Sequence, residues 1–138
     1  MSHNPEKKLR IVIAEDDTDD GEIMVDSFKR NGAFGPIDLV RNGVELLNFL
    51  KADGIRPDVI LTDINMPLMS GIDALEEICD NQLLRAIPAF VYSSTLNPIY
   101  EARCMKLGTK GFLIKPMSLQ EFDEIPKRII TILEQTAQ

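Results

Sequence analysis

The chain has 138 residues, of which 44% are hydrophobic, and its 15 basic and 22 acidic side chains give a formal net charge of -7. This length and composition fit one globular domain with a hydrophobic core and exclude an intrinsically disordered chain. The acidic balance argues against nucleic-acid binding through the general surface, which depends on Lys and Arg neutralising phosphates. No apolar run reaches the length of a membrane span.

The amino-terminal half predicts three strands, each followed by a helix. Short apolar runs typical of buried strands lie at 9–14, 37–40 and 58–62. An amphipathic segment from about 18 to 30 predicts the first helix, which Asn31-Gly32 should end as a carboxyl-terminal cap. The second helix should begin at Asn42-Gly43, and the third should follow Gly71.

The carboxyl-terminal half repeats this alternation twice. Apolar runs at 87–92 and 110–114 predict the fourth and fifth strands. Asn97-Pro98 predicts the start of the fourth helix, with Asn as the cap and Pro at the first helical position. Ser118 and Glu121 form a capping box for the last helix. Within that helix, Pro126 removes a backbone hydrogen bond and is expected to kink or interrupt it.

Five strand–helix repeats predict an α/β fold, in which helices cover both faces of a parallel sheet. We expect a flavodoxin-like, doubly wound (βα)5 sheet with strand order 2-1-3-4-5. We expect one domain over residues 1–138, with a core of about 8–135. Cys79 and Cys104 lie in helical segments without the spacing of a disulfide framework, so both are predicted to be reduced thiols of a cytoplasmic protein.

Polar side chains follow four of the predicted strands. They are Glu15-Asp16-Asp17, Asp63, Ser93-Ser94 and Lys115-Pro116. In an open parallel sheet ligands bind at the carboxyl ends of the strands, so these residues are the candidates for a functional site. Crowded carboxylates raise each other's pKa unless a cation lies between them. A hard divalent ion resolves this repulsion, and Mg²⁺ suits a site with few carboxylates and a phosphate.

Each remaining group has a role in the transfer of a phosphoryl group. Asp63 would attack phosphorus to form an acyl phosphate. The metal ion and Lys115 would neutralise charge on the phosphoryl oxygens. Ser93 would donate a hydrogen bond to the modified carboxylate.

These residues lie in four motifs: Ala14-Glu15-Asp16-Asp17, Asp63-Ile64-Asn65-Met66-Pro67 with Gly71 behind it, Val91-Tyr92-Ser93-Ser94, and Gly111-Phe112-Leu113-Ile114-Lys115-Pro116. Over essentially its whole length the chain resembles the receiver domain of two-component response regulators. Each motif alone is weak, but all four in this order and at these separations are specific to that family.

The resemblance implies a role for each site residue. Asp63 would be the phosphoacceptor, and Asp16, Asp63 and the backbone carbonyl of Asn65 would bind Mg²⁺. Glu15 would act on the ion indirectly rather than as a direct ligand. Ser93 matches the family's switch hydroxyl, and Phe112 matches the aromatic residue that swings inward when that hydroxyl engages the phosphate. Lys115 matches the family's lysine, and the resemblance implies a cis Lys115–Pro116 bond.

The implied function is that of a stand-alone receiver with no output domain. A sensor histidine kinase or a phosphotransfer protein would phosphorylate it, and the chain would catalyse only its own phosphorylation and dephosphorylation. Single-domain regulators encoded beside phytochrome-type kinases look closest, on the extended amino terminus and the Asp19-Asp20 pair. In this family the face formed by the fourth helix, fifth strand and fifth helix binds partners or self-associates, so a homodimer through it is one expectation. Neither nucleic acid nor a membrane is expected as a direct partner.

Three other interpretations remain open on the sequence alone. An aspartate-nucleophile phosphatase also uses Mg²⁺ and strand-end carboxylates, but it needs a second acid two residues after the nucleophile, where this chain has Asn65. A phosphate-independent scaffold with the same fold would be expected to have lost at least one of Asp63, Ser93 and Lys115. The chain could also be cut from a longer regulator, with the residues at 135–138 beginning a linker.

Overall fold

The structure, a computed structural model, describes residues 7–52, 54, 56–95 and 97–136. Its strands are β1 (Leu9–Ala14), β2 (Phe34–Val40), β3 (Val59–Asp63), β4 (Ala89–Ser93) and β5 (Gly111–Ile114). Its helices are α1 (Thr18–Asn31), α2 (Gly43–Lys51), α3 (Gly71–Cys79), α4 (Pro98–Lys106) and α5 (Leu119–Thr136). Residues 1–6 and 137–138 of the predicted domain lie outside the described residues. The predicted core, about 8–135, begins and ends within the described ranges.

The five strands form one parallel sheet in the order β2-β1-β3-β4-β5, which confirms the predicted flavodoxin-like topology. The register aligns the strand ends: Ala14 pairs with Thr62 across β1 and β3, and Asp63 pairs with Tyr92 across β3 and β4. The residues that follow β1, β3, β4 and β5 therefore meet along one edge of the sheet.

Strand side chains alternate between two buried clusters, one on each side of the sheet. The α1–α5 side contains Ile13, Leu61 and Tyr92, together with side chains of α1 and α5. The opposite side contains residues of α2, α3 and α4 with strand residues such as Val91, against which Phe112 packs. Because Asp63 pairs with Tyr92, its side chain lies on the α1–α5 side of the sheet. Ser93 is two residues after Val91, so its side chain lies on the opposite side, with Val91.

The predicted caps of α1, α2 and α4 are confirmed, and of the capping box predicted for α5 the hydrogen bond from the Glu121 amide to Ser118 Oγ (3.2 Å) is present. Asn42 accepts a hydrogen bond from the Glu45 amide, and Asn97 accepts hydrogen bonds at the start of α4. Gly32 ends α1 with φ of 86°, a left-handed conformation that costs glycine little. Asp17 caps α1 through the Asp20 amide.

Of two expectations about proline, one is wrong and the other is wrong in part, because the interruption expected at Pro126 is absent. Pro126 does not interrupt α5, which runs through it from Leu119 to Thr136. Ile125 and Ile129 on either side are buried in the core, and this packing outweighs the loss of one backbone hydrogen bond. The Lys115–Pro116 bond is not cis: within the described ranges the cis bond is Gly35–Pro36. Trans is the general preference of X–Pro bonds, and nothing in the local sequence overrides it at Lys115.

β2 begins at Phe34, earlier than the predicted start at Ile37. The prediction missed the first residues of the strand because Gly35 and Pro36 interrupt the apolar pattern of the sequence. β2 is an edge strand, where a missing backbone donor can face away from the sheet. Cys79 and Cys104 are both free, as predicted. Among the residues that the structure describes, no helix is both long and apolar enough to cross a membrane.

Candidate phosphorylation site

Three acidic side chains meet at the carboxyl edge of the sheet. One oxygen each from Glu15, Asp16 and Asp63 lies within 4.8 Å of the others. The Nζ of Lys115, which follows β5, lies within ion-pair distance of Glu15 and Asp63. The strand-end residues predicted from the sequence are therefore brought together.

Asp63 is the last residue of β3 and is 94% buried, with 6% of its surface exposed. Its Oδ1 accepts a hydrogen bond of 2.7 Å from the Ile64 amide, which fixes the orientation of the carboxylate. Burial, reinforced by the charge of Glu15, raises the pKa of Asp63 to about 6, and Lys115 offsets this only in part. Lys115 thus compensates the negative charge at Asp63 only in part.

The loop after Asp63 folds back on its own strand. The Gly71 amide donates to the Ile64 carbonyl (2.8 Å), and a Cβ on Gly71 would lie only 2.1 Å from the Asp63 carbonyl oxygen. Only glycine therefore permits this approach. At the tip, Leu68 has φ of 67°, and the Met69 amide donates to the Pro67 carbonyl at 2.7 Å. These contacts hold the loop that carries Asn65.

Lys115 forms ion pairs with three carboxylates. Its Nζ lies 2.9 Å from Glu15 Oε1, 3.1 Å from Asp20 Oδ2 and 3.4 Å from Asp63 Oδ2. Burial acts to lower the pKa of Lys115, but the hydrogen bond to Glu15 and the charge of Asp63 raise it well above its ordinary value. Lys115 is therefore a permanent cation beside Asp63. Its amide also donates to the Ser93 carbonyl at 2.8 Å, which ties the ends of β4 and β5 together.

Glu15 is the most buried of the acids, with 1% of its surface exposed. Its Oε1 accepts hydrogen bonds from the Tyr92 hydroxyl (2.6 Å) and from Lys115, and its Oε2 accepts one from the Asp17 amide (3.1 Å). Burial acts to raise the pKa of Glu15, but these donors outweigh it and hold the pKa below its ordinary value. Glu15 is thus a fixed, ionised group.

Asp16 and Asn65 are the exposed members of the predicted metal site. Partial burial and the neighbouring Glu15 raise the pKa of Asp16. Clustered carboxylate oxygens with incompletely compensated charge are the donors that a hard divalent cation prefers. The chemistry of this donor set therefore fits a divalent metal ion.

The predicted switch residues lie close to this edge but on the other side of the sheet. Ser93 is buried at the end of β4, and its Oγ accepts a hydrogen bond from the Thr95 amide at 3.4 Å. Phe112 is half-buried on β5 and packs with the α2–α3–α4 cluster.

Two residues of the site were not identified from the sequence, namely Tyr92 and Asp20. Tyr92 could have been identified from the two-residue period of a strand. It lies on the same face of β4 as Phe90, and its hydroxyl is a polar group on a face that is otherwise apolar. Asp20 contacts Lys115 only because α1 packs over the end of β1. No local pattern distinguishes it from its acidic neighbours.

Comparison with known proteins gives one family. The model of the response regulator receiver domain matches residues 11–127. The protein-glutamate methylesterase/protein-glutamine glutaminase of Clostridium acetobutylicum is 33% identical over 129 residues, which is 89% of this chain but only 36% of that protein. The two-component response regulator ORR3 of Oryza sativa subsp. indica is 29% identical, over 86% of this chain and 89% of ORR3.

Among solved structures, the phosphorylated cyanobacterial phytochrome response regulator RcpA superposes with a TM-score of 0.85 at 26% identity, over 96% of this chain and 98% of that one. The chain belongs to the family of response regulator receiver domains. Its acidic pocket of Glu15, Asp16 and Asp63 fits the phosphoacceptor aspartate and divalent-metal site of that family. Receiver domains are regulatory modules that histidine kinases or phosphotransfer proteins phosphorylate.

Proposed function

We propose that this chain is a phosphorylation-controlled switch whose phosphoacceptor is Asp63. The observation that carries the proposal is the meeting of a buried, fixed carboxylate with two further acids and a permanently charged lysine at the carboxyl edge of the sheet. A structural ion pair would need one acid for Lys115. The additional acids leave uncompensated negative charge, which a metal-dependent phosphoryl site requires.

In the proposed reaction an Asp63 oxygen attacks the phosphorus of a donor phosphohistidine. The phosphorus–oxygen bond forms, the phosphorus–nitrogen bond breaks, and the imidazole keeps the electron pair and takes up a proton. Lys115, 3.4 Å from Asp63 Oδ2, neutralises charge on the transferred group. Ser93, at the end of the neighbouring strand, donates to the acyl phosphate, and Phe112 moves in response.

We propose that the metal ion is Mg²⁺, bound by Asp16, Asp63 and the backbone carbonyl of Asn65, with Glu15 acting indirectly. When bound, the ion neutralises charge on the phosphoryl oxygens. Burial and the nearby Glu15 raise the pKa of both Asp63 and Asp16. The raised values support this assignment, because a bound cation would stabilise the ionised carboxylates.

We further propose that residues 1–138 form one receiver domain that acts in the cytoplasm, and that this domain catalyses only its own phosphorylation and dephosphorylation. The similarity to RcpA supports a phytochrome-type histidine kinase as the donor, since the two chains match over nearly their full lengths.

The test of the proposed function is intact mass after incubation with a small-molecule phosphodonor, with and without Mg²⁺. We expect the parent to gain one phosphoryl group only with Mg²⁺, and Asp63→Asn to gain none. Asp26→Asn, an identical chemical change on the exposed surface of α1, should behave as the parent does. Uptake that persists in Asp63→Asn would contradict the proposal. If the parent shows no uptake, beryllofluoride binding distinguishes rapid hydrolysis from an inactive site.

The proposed interaction surface consists of α4, β5 and the start of α5. Large apolar side chains are exposed there: Ile99, Met105, Ile114, Met117 and Leu119. Met117 is 92% exposed and Ile99 is 71% exposed. Several large apolar side chains exposed on these neighbouring elements support an interaction site. We propose that its use includes self-association of the activated protein.

The expected result is a higher sedimentation coefficient for the parent when beryllofluoride and Mg²⁺ are added. Met105→Glu should abolish this increase, because it would bury a charge in the interface. Leu83→Glu makes the same kind of change at a site 64% exposed outside this surface and should have no effect. An increase that survives Met105→Glu would exclude this surface as the dimer interface.

A further inference from the structure

The hydroxyl of Tyr92 is a polar group within the buried, mostly apolar cluster on the α1–α5 side of the sheet. Its ring is fully buried on the α1–α5 side of β4, and the other buried strand residues of the same cluster, such as Ile13, Leu61 and Phe90, are apolar. Its hydroxyl donates to Glu15 Oε1 at 2.6 Å. β3 lies between β4 and β1, so the phenol reaches past the end of β3, where Asp63 is its register partner.

This hydrogen bond joins a buried phenol to an ionised carboxylate. Such charge-assisted bonds are short and about twice as strong as neutral ones. The Glu15 carboxylate accepts from three donors, namely the Tyr92 hydroxyl, the Lys115 ammonium and the Asp17 amide, and together they fix its position. The Lys115 Nζ also lies 5.7 Å from the centroid of the Tyr92 ring, so Tyr92 contacts both members of the Glu15–Lys115 pair.

We propose that Tyr92 is a positioning residue of the phosphorylation site, whose hydroxyl orients Glu15 and thereby sets the affinity of the site for a divalent cation. The inference rests on the proposed function, because it concerns the same site. Tyr92 contacts neither the acceptor oxygen nor the exposed ligand Asp16 in any described hydrogen bond, so it acts through Glu15.

The test is Tyr92→Phe, which removes the hydroxyl and keeps the ring beneath Lys115. The probe is Mn²⁺, whose unbound fraction is counted by electron paramagnetic resonance. We expect roughly tenfold weaker binding, the low end of the effect of losing a group that orients metal ligands. Tyr100→Phe makes the same change in the chain's other tyrosine, half-buried on α4, and should bind Mn²⁺ within about twofold of the parent.

A double-mutant cycle distinguishes positioning from a general effect on the fold. Glu15→Met removes the acceptor at similar side-chain size. If Tyr92 acts through Glu15, adding Tyr92→Phe to Glu15→Met should change Mn²⁺ affinity by less than about twofold. An undiminished effect in that background would overturn the inference, as would unchanged affinity in Tyr92→Phe alone.

A measurement on the unmodified protein covers the case in which a variant folds poorly. The Tyr92 hydroxyl proton should give a downfield, slowly exchanging nuclear magnetic resonance signal in the parent and in Tyr100→Phe. Its absence from the parent overturns the inference. Failure of the parent to bind Mn²⁺ would instead overturn the proposed function, whereas binding that Tyr92→Phe leaves unchanged overturns this inference alone.

Discussion

Alanine at Gly71 is expected to lower the free energy of unfolding by about 3 kcal/mol or more. The new Cβ would lie 2.1 Å from the Asp63 carbonyl oxygen and 3.0 Å from Thr62 Oγ1. The first of these is a backbone atom of a central strand, so it cannot rotate away as a side chain can. Relief requires a shift of the strand end or of the start of α3, and either shift breaks the hydrogen bond from the Gly71 amide to the Ile64 carbonyl.

Urea denaturation followed by circular dichroism measures this loss. Gly21→Ala is the matched control, because there the closest contacts of a Cβ would be the methyl groups of Leu39, at 3.0 and 3.3 Å, which can move, and Glu15 Cγ at 3.7 Å is an ordinary contact. Gly21 also lies within α1, where alanine is favoured over glycine, so we expect a net change within about 1 kcal/mol. Equal midpoints for the two variants would show that the close approach at Gly71 is not a constraint.

The second large effect has the opposite sign: in EDTA at pH 8, Asp63→Asn should unfold with a free energy about 2 kcal/mol higher than the parent. A pKa raised from 3.8 to about 6 corresponds to about 3 kcal/mol of destabilisation by the ionised group. Solvent screening at the mouth of the site reduces this value. The amide carries no charge to bury, and Lys115 keeps Glu15 and Asp20 as partners.

The pH dependence of this difference follows from the direction of the shift. Because the folded pKa of Asp63 lies above the unfolded value, its contribution to stability is complete below pH 3.8 and is lost as the pH rises through about 6. The advantage of Asp63→Asn should therefore fall to roughly half by pH 5. Urea titrations at both pH values measure it, with Asp26→Asn expected to stay within about 0.5 kcal/mol of the parent. A parent as stable as Asp63→Asn at pH 8 would disprove the raised pKa.

The fold followed from the sequence because each boundary carries its own local signal. Asn42 and Asn97 cap helices through their own side chains, and Gly32 supplies a conformation that other residues avoid. Where local signals conflict with tertiary context, the prediction failed. Pro126 stays inside a helix because the helix face is buried, and Pro36 lies in a strand because that strand is at an edge.

The site was predictable to the extent that it follows from strand ends. Glu15, Asp63 and Lys115 each terminate an apolar run, so sheet topology alone brings them together. Tyr92 is different, because its partner Glu15 is 77 residues away and follows β1, a strand that β4 does not touch. Its contact depends on the reach of the phenol across β3, which no pattern in the sequence encodes.

Successive side chains of β4 point to opposite faces of the sheet, so the neighbouring residues Tyr92 and Ser93 make contacts on different sides. Tyr92 faces the α1–α5 side, where the acids and Lys115 lie, whereas its neighbour Ser93 shares the parity of Val91 and Phe112, on the side of α4. In the proposed function, phosphorylated Asp63 is contacted from one side of the sheet by Lys115 and from the other by Ser93, so the relative orientation of the last two residues of β4 links the site to the α4 side.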